Sequence, residues 1–269
     1  MRTMVIAEIA SCHDGNYNKA AAMIEAAAAA GADYAKAQFW SSADRLAERR
    51  KSGQAYQYIY AKYQIPEAWL PLLADQAKAH GIGFMCTTYF QEDISVVAPY
   101  VDHFKIASFE AADLDFIQAH YPYLHAGSHR LLIISTGLQD AKMLERLRGE
   151  RRSSEQIRLL HCVSAYPAGI EHLNLYQIQG ERLDGFSDHA AAIWPQSGAV
   201  ATALGATIIE VHLRLHGTNP ENPDAPHALV PKALTEYIRN IRQAQAALGL
   251  YMREKNPAED AMRVYKVQP

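Results

Sequence analysis

The sequence predicts a single-domain α/β protein built as a (β/α)8 barrel of the TIM type. Eight short apolar runs alternate with helix-like segments, and the pattern occupies about 250 residues, the usual size of such a barrel. Polar side chains also gather where the apolar runs end, as they do at the C-terminal face of a barrel. An open doubly wound sheet is the alternative, but no glycine-rich phosphate-binding loop follows the first strand.

Eight segments have the composition of buried parallel strands, because apolar residues form short continuous runs in them. The clearest evidence lies within residues 185–213, where two strand-like pieces flank a small-residue stretch long enough for a crossover helix. The other predicted strands are residues 4–10, 33–39, 83–88, 103–108, 131–136 and 157–164.

Helix-like segments follow most of the strands. The first, residues 19–30, is rich in alanine and stops at Gly31, a common C-terminal signal. Residues 40–65 are too long and polar for an ordinary βα connection, so we expect a partly helical excursion over the strand ends. We place the barrel domain at residues 1–250 and a polar tail without periodicity at residues 251–269. The remaining predicted helices are residues 66–80, 91–98, 111–120, 142–148, 193–204 and 231–248.

The overall composition is that of an ordinary globular protein. The chain is 49% hydrophobic and 20% charged, with a net charge of −3, which gives no reason to expect nucleic acid as a partner. No apolar run approaches the roughly 20 residues that span a bilayer, so we expect no membrane association. Three cysteines and an N-terminus unlike a signal peptide predict reduced thiols and a cytoplasmic protein.

Two histidines end neighbouring predicted strands. His189 follows Asp188 at the end of the first strand-like piece, and His212 follows Glu210 at the end of the second. Parallel strands joined by a crossover bring these ends to one edge of the sheet. Neutral imidazoles beside carboxylates suit a divalent metal, although two unrelated histidines could also end strands in this way.

Lysines within apolar strands predict an anion site. Lys36 and Lys105 each lie inside a predicted strand, and a buried lysine is costly unless an anion pairs with it. Serine and threonine residues at neighbouring strand ends favour a phosphate-bearing ligand. The polar residues collected at the predicted strand ends are Glu8, Lys36, Gln38, Thr88, Lys105, Ser108, Ser135, Ser164, Tyr166, Ser187, His189, Glu210 and His212.

Several short motifs together resemble the N-acetylneuraminate (sialic acid) synthase family. Their order and spacing carry the resemblance, which covers nearly the whole predicted barrel. The motifs are Ala7-Glu8-Ile9 with His13-Asp14-Gly15, Lys36-Ala37-Gln38, Phe104-Lys105-Ile106-Ala107-Ser108, Ile134-Ser135-Thr136-Gly137, Leu160-His161-Cys162 with Tyr166-Pro167, Gly185-Phe186-Ser187-Asp188-His189 and Glu210-Val211-His212.

The resemblance implies a condensation of phosphoenolpyruvate with an open-chain sugar aldehyde, N-acetylmannosamine in the type enzymes, releasing phosphate and giving a 2-keto-3-deoxy acid. It implies that His189 and His212 hold a divalent metal, typically Mn²⁺, with Mg²⁺ or Co²⁺ as alternatives. Glu8 would handle a proton or the attacking water. The resemblance also implies a homodimer. The implied phosphoenolpyruvate ligands are Lys36, Lys105, Ser108, Ser135, Ser187 and Thr88, and the implied sugar-facing residues are Gln38, Tyr166 and Asp224.

The sequence departs from the family pattern in ways that concern the sugar. Ser164, which we include among the substrate-binding residues, stands where the family usually has asparagine. The family normally carries an antifreeze-like domain over the sugar end of the site, and we expect this chain to lack it. Residues 40–64 and 214–230 are the candidate replacements, and we expect an acceptor other than N-acetylmannosamine.

Two further interpretations stay open at this point. The protein could be another phosphoenolpyruvate-dependent synthase, of the deoxyoctulosonate-phosphate or deoxyheptulosonate-phosphate kind, although no spare arginine cluster stands at the strand ends for a phosphorylated acceptor. It could also be a barrel that binds ligands without catalysis. The predicted catalytic set of Glu8, Lys36, Lys105, His189 and His212 argues against that.

Overall fold

The computed structural model describes residues 2–125, 128–249 and 257–267, and it confirms the predicted (β/α)8 barrel. The eight strands are all parallel and pair in sequence order, with the last strand closing on the first. Every strand therefore ends at the same face. The strands are β1 Met4–Glu8, β2 Tyr34–Gln38, β3 Gly83–Thr87, β4 His103–Ile106, β5 Leu132–Ser135, β6 Ile157–Cys162, β7 Gly185–Asp188 and β8 Ile208–His212.

Helices surround the barrel in the predicted order. Residues 40–65 contain two helices, as the prediction of a partly helical excursion required, while the helices predicted at 111–120 and 193–204 are both shorter in the structure. The helices are α1 Tyr17–Ala30, α2 Ala43–Arg49, α3 Gly53–Tyr63, α4 Trp69–Ala79, α5 Gln91–Val97, α6 Leu114–Gln118, α7 Ala141–Ser153, α8 Tyr176–Gly180, α9 Ser197–Ala203 and α10 Pro231–Leu248.

The segment predicted as a polar C-terminal tail is described only in part. A 3₁₀ helix spans Pro257–Tyr265, and nearly all of its residues are exposed. Residues 250–256, 268 and 269 lie outside the described residues, so the domain boundary at residue 250 stays a prediction. Within the described ranges, no helix has both the length and the apolar character needed to cross a bilayer.

The barrel interior is divided into an apolar floor and a polar upper layer. The floor consists of Ile6, Met85, Ile133, Leu160 and Ile208, all buried. Alternate residues of a strand point to the same side. Two positions further along the same five strands, the interior therefore receives Glu8, Thr87, Ser135, Cys162 and Glu210. This phase of the strands places the polar layer at the C-terminal face.

Asp188 anchors the end of β7 against the outer helices. Its carboxylate is fully buried and accepts hydrogen bonds from the Tyr237 hydroxyl of α10 at 2.6 Å and the Ser197 hydroxyl of α9 at 2.5 Å. The backbone N–H of Ala190 donates to the same carboxylate at 2.8 Å. These contacts hold the backbone on both sides of His189, so the side chain of His189 is directed by a rigid element.

Candidate active site

A network of two lysines and two glutamates forms the bottom of the candidate site, and we call it the charged network. Lys36 contacts the Glu8 carboxylate directly, donates to the Thr87 hydroxyl at 2.8 Å and lies 3.6 Å from a Glu210 oxygen. Lys105 donates to the Ser135 hydroxyl at 2.7 Å and lies 3.8 Å from the other Glu210 oxygen. The four charged side chains are all nearly inaccessible to solvent. Buried charges persist only when they are paired in this way.

Glu210 is the link between the two lysines. Burial alone would raise the pKa of this carboxyl, but Lys105 and Lys36 hold its pKa below the usual value. The Ser187 hydroxyl donates to it at 2.9 Å. Burial lowers the pKa of Lys36 to about 8, although Glu210 opposes that shift. At neutral pH the Glu210 carboxylate is therefore charged, while the pKa of Lys36 lies only slightly above that pH.

Three imidazole rings lie close together above the charged network. The ring centroids of His189 and His212 are 5.5 Å apart, those of His212 and His227 are 4.4 Å apart, and those of His189 and His227 are 5.9 Å apart. Burial lowers the pKa of His189 to about 4 and that of His212 well below its ordinary value. These rings are therefore neutral near pH 7, the form that binds a metal.

The donor atoms of this region fit a divalent cation. Nitrogen and oxygen atoms of His212, Asp224 and His227 lie within 4.8 Å of one another. Nδ1 of His212 is buried without a hydrogen-bond partner among the described residues, as are both ring nitrogens of His227. His189 engages the Val163 carbonyl through Nδ1 at 2.7 Å, which leaves Nε2 as its free ring nitrogen. This arrangement fixes the ring as carbonyl partners do in metal sites.

A cavity of about 600 Å³ extends from the charged network to the exterior. Residues of α3 and of the turn before it line one side of the cavity, and we call residues 43–63, which comprise α2, this turn and α3, the lid segment. Trp40, Tyr56 and Tyr60 line the wall on that side. Arg50 of the lid segment donates two hydrogen bonds of 2.9 Å to the buried Glu110 carboxylate. The lid segment is thus attached to the loop after β4 by a bidentate, largely buried ion pair.

Comparison of the sequence with models of known protein families gives a match over most of the chain. The NeuB family matches residues 23–253. This protein belongs to the NeuB family. The N,N'-diacetyllegionaminic acid synthase of Campylobacter jejuni is 30% identical over 282 residues, covering 96% of this chain and 81% of that protein. A pseudaminic acid synthase of the same species is 29% identical over 270 residues, covering 92% and 75%.

A solved structure shares both the fold and the family. The crystal structure of N-acetylneuraminic acid (sialic acid) synthetase from Leptospira borgpetersenii, in complex with citrate, superposes with a TM-score of 0.85. The sequences are 25% identical, and the alignment covers 98% of this chain and 91% of the other. The predicted resemblance to the sialic acid synthases and the prediction of a synthase-type enzyme are therefore confirmed.

Most residues predicted from the sequence reach the cavity of this NeuB family barrel. Ser108 hydrogen-bonds Ser164 at 2.8 Å, so Ser164 supports a cavity residue rather than lining the cavity itself. The Tyr89 hydroxyl donates to the Gln38 carboxamide oxygen at 2.8 Å. The predicted site residues that line the cavity are Glu8, Lys36, Gln38, Lys105, Ser108, Ser135, Tyr166, Ser187, His189, His212 and Asp224.

Thr88, like Ser164, is a predicted site residue that does not line the cavity. Its side chain is buried on the outside of the barrel, where the hydroxyl lies 3.0 Å from Nε2 of His120. The neighbouring Thr87 points inward and accepts from Lys36. Assigning Thr88 to the substrate was a phase error of one residue, because successive strand residues point to opposite sides.

Three residues of the site had no predicted role in the chemistry. Glu210 was noted at a strand end, and its charge within an apolar strand was the available signal. His227 was predicted, with Asp224, to hydrogen-bond ligand hydroxyls from the loop after β8, whereas the structure buries it beside His212. Arg50 enters the cavity from the lid segment, which no strand pattern could indicate. Asp224 was assigned to the sugar, and here it also lies among the metal-donor atoms.

Proposed function

We propose that this protein condenses phosphoenolpyruvate with a sugar-like aldehyde and one water, releasing phosphate and forming a 2-keto-3-deoxy acid. The observation that carries the proposal is the position of Lys36 and Lys105. Both ammonium groups are buried at the bottom of a cavity, surrounded by hydroxyls, and both belong to one network with Glu210. Such a site offers fixed charge and hydrogen bonds to an anion that bears phosphate and carboxylate groups.

The lysines and hydroxyls have distinct tasks in this scheme. Lys36 and Lys105, with Ser135 and Ser187, bind the phosphate and carboxylate and offset the charge that develops as phosphate leaves. Glu8 lies against Lys36, where its carboxylate can accept the proton of the water that adds to C2 of phosphoenolpyruvate. Ser108, held by Ser164, adds a hydroxyl at the edge of the anion site.

The imidazole cluster would hold the divalent metal that the family resemblance implies. His189 and His212 are the ligands proposed from the sequence, with Mn²⁺ as the first candidate and Mg²⁺ or Co²⁺ as alternatives. When bound, such an ion polarises an aldehyde oxygen as a Lewis acid. The protein's own contribution is to hold neutral imidazoles in place, through the Val163 carbonyl for His189 and through the end of β8 for His212.

The acceptor would bind in the outer part of the cavity. Gln38, Tyr166 and Asp224 offer hydrogen-bonding groups there, and Trp40 and Tyr60 offer apolar faces for a sugar chain. The lid segment lines this end of the cavity through Tyr56 and Tyr60, and we propose an acceptor other than N-acetylmannosamine. A phosphorylated acceptor is less well supported, because Arg50, the cavity arginine seen in the described residues, is already paired with Glu110.

The proposed setting is a cytoplasmic homodimer. Three buried, unpaired cysteines, Cys12, Cys86 and Cys162, support a reducing compartment. Exposed apolar side chains in the loops after β4, β5 and β7, namely Phe109, Leu138 and Ile193, support a second copy on that face. Sedimentation equilibrium of the wild-type protein would test the dimer.

The experiment that tests the proposed reaction is phosphate release from phosphoenolpyruvate. The purified protein is supplied with Mn²⁺, Mg²⁺ or Co²⁺ in turn and with each member of a panel of aldoses and aldehydes, N-acetylmannosamine included. We expect release with at least one acceptor, with a keto acid product seen by NMR. Absence of release across the panel, in a protein that binds phosphoenolpyruvate, would support a non-catalytic barrel.

A further inference from the structure

His227 is a buried histidine whose ring nitrogens make no hydrogen bond to the described residues. Its side chain is fully buried, and neither Nδ1 nor Nε2 has a hydrogen-bond partner among the residues that the structure describes. The ring centroid of His212 lies 4.4 Å from that of His227, and Nδ1 of His212 also has no hydrogen-bond partner among the described residues. Buried polar atoms are nearly always paired, so three unpaired nitrogens in one place indicate a missing ligand.

The surroundings of His227 are organised around one point. The Asp224 carboxylate lies 3.6 Å from Nε2 of His227, beyond hydrogen-bonding distance. The other carboxylate oxygen of Asp224 is held by the Ser11 backbone N–H at 2.9 Å and the Ser11 hydroxyl at 2.5 Å. This support leaves one oxygen directed to the histidines, as metal-binding carboxylates are commonly oriented by partners of their own.

We propose that His227 is a third imidazole ligand of the metal, joining His212 and Asp224, whose donor atoms lie within 4.8 Å of its own, and His189, whose ring centroid lies 5.9 Å from that of His227. The inference rests on the proposed function for the presence of a metal, and it changes which metal the site favours. Imidazole donors suit zinc, cobalt, iron and nickel, whereas magnesium and manganese favour oxygen. A third imidazole should therefore widen the preference for Co²⁺ or Zn²⁺ over Mn²⁺ that nitrogen- and oxygen-donor sites show in general.

The test measures metal binding directly, with Co²⁺ and Mn²⁺ as probes on full-length protein stripped by a chelator. His227→Phe keeps the ring and removes both nitrogens, and His172→Ala, an exposed histidine on a different loop, controls for adventitious surface binding. We expect wild type and His172→Ala to bind Co²⁺ more tightly than Mn²⁺. His227→Phe should lose at least about 100-fold in Co²⁺ affinity, the upper end of what removing a group that merely orients a ligand costs. Its visible Co²⁺ absorption should change as well.

Thermal unfolding separates a ligand from a packing residue. Without metal, His227→Phe should melt no lower than wild type, because it removes unpaired buried nitrogens and fills the same space. With Co²⁺, its melting temperature should rise less than that of wild type. A variant that melts lower without metal and binds Co²⁺ with unchanged affinity and spectrum would overturn the proposal. Equal affinity of wild type for Mn²⁺ and Co²⁺ would overturn the inferred preference.

Phosphate release, measured in parallel, distinguishes this inference from the proposed function. Tight Co²⁺ binding that requires His227, in a protein that releases no phosphate with any acceptor, would support the ligand set and refute the function. Turnover by wild type, together with unchanged Co²⁺ binding in His227→Phe, would refute the ligand set alone. His212→Phe serves as the positive control, because loss of Co²⁺ binding is expected there in either case.

Discussion

Removing Arg50 should detach the lid segment from the barrel without disturbing the anion site. Three arginines of this segment form ion pairs with the barrel loops: Arg45 with Glu92, Arg49 with Asp113 and Arg50 with Glu110. The first two pairs are substantially exposed, and such pairs contribute about 0–1 kcal/mol each. Glu110 is nearly inaccessible, so the third pair should dominate the attachment.

The magnitude follows from what Arg50→Met leaves behind. A buried ion pair that loses one partner costs about 3–5 kcal/mol, because the remaining charge is left without compensation. Burial already raises the pKa of Glu110, with Arg50 opposing the rise, so its pKa should rise further in the variant. Because the pKa of Glu110 is higher with the lid closed than with it open, protonated Glu110 favours the closed lid below about pH 4. This stabilisation is lost as the pH rises through the closed-state pKa of Glu110. The defect should therefore be largest at neutral pH.

The barrel core does not depend on this pair, so the cost should appear as local opening of the lid segment. Hydrogen exchange of residues 43–63 should accelerate, while the exchange of β1 to β8 stays slow. If the acceptor needs the closed lid, a loss of about 3 kcal/mol raises its KM by up to about 100-fold. The affinity for phosphoenolpyruvate, measured separately by calorimetry, should remain within about twofold.

Matched variants make this prediction specific. Arg45→Met removes an exposed pair from the same helix and should change the acceptor KM little. Replacing both partners, Arg50→Met with Glu110→Gln, should recover much of the lid's protection because no buried charge remains. Arg50→Met with a protected lid segment and an unchanged acceptor KM would show that residues 43–63 do not close over the acceptor.

Three further predictions concern the anion site. Lys105→Ala should weaken phosphoenolpyruvate binding by roughly 10–150-fold, the loss expected of one charge-assisted contact, with little effect on the acceptor, whereas the exposed Lys78→Ala should change neither. Thr87→Val should weaken phosphoenolpyruvate binding by removing a partner of Lys36, whereas Thr88→Val should lower the melting temperature and leave that binding intact. Because burial lowers the pKa of Lys36 to about 8, kcat/KM for phosphoenolpyruvate should fall above that pH by up to about tenfold per pH unit as the free enzyme loses this charge.

Each of these three predictions would be contradicted by a specific result. An equal effect of Lys105→Ala on both substrates would make Lys105 a support of the barrel rather than a phosphate ligand. Weaker phosphoenolpyruvate binding in Thr88→Val than in Thr87→Val would show that the strand phase at β3 is misassigned. A profile of kcat/KM that stays flat above pH 9, with the acceptor saturating, would mean that the charge of Lys36 is not needed for binding.

The strand and helix pattern was determined by the sequence, and so was the set of strands that meet at the catalytic face. Continuous apolar runs and glycine stops are local properties, and parallel pairing of successive strands follows from them. Lys36 and Lys105 could be singled out because a charge inside an apolar run is costly wherever the strand packs. The motif order then indicated the family without any knowledge of contacts.

The tertiary structure alone decided which side each strand residue faces and which side chains of the predicted segments 40–64 and 214–230 enter the site. Thr87 rather than Thr88 faces the cavity because strand phase depends on how the strand docks, and a shift of one residue reverses it. Arg50 and His227 belong to loops whose positions depend on pairing with Glu110 and on packing beside His212. Such contacts join residues far apart in the chain, so no local pattern encodes them, and they emerge only when the barrel closes.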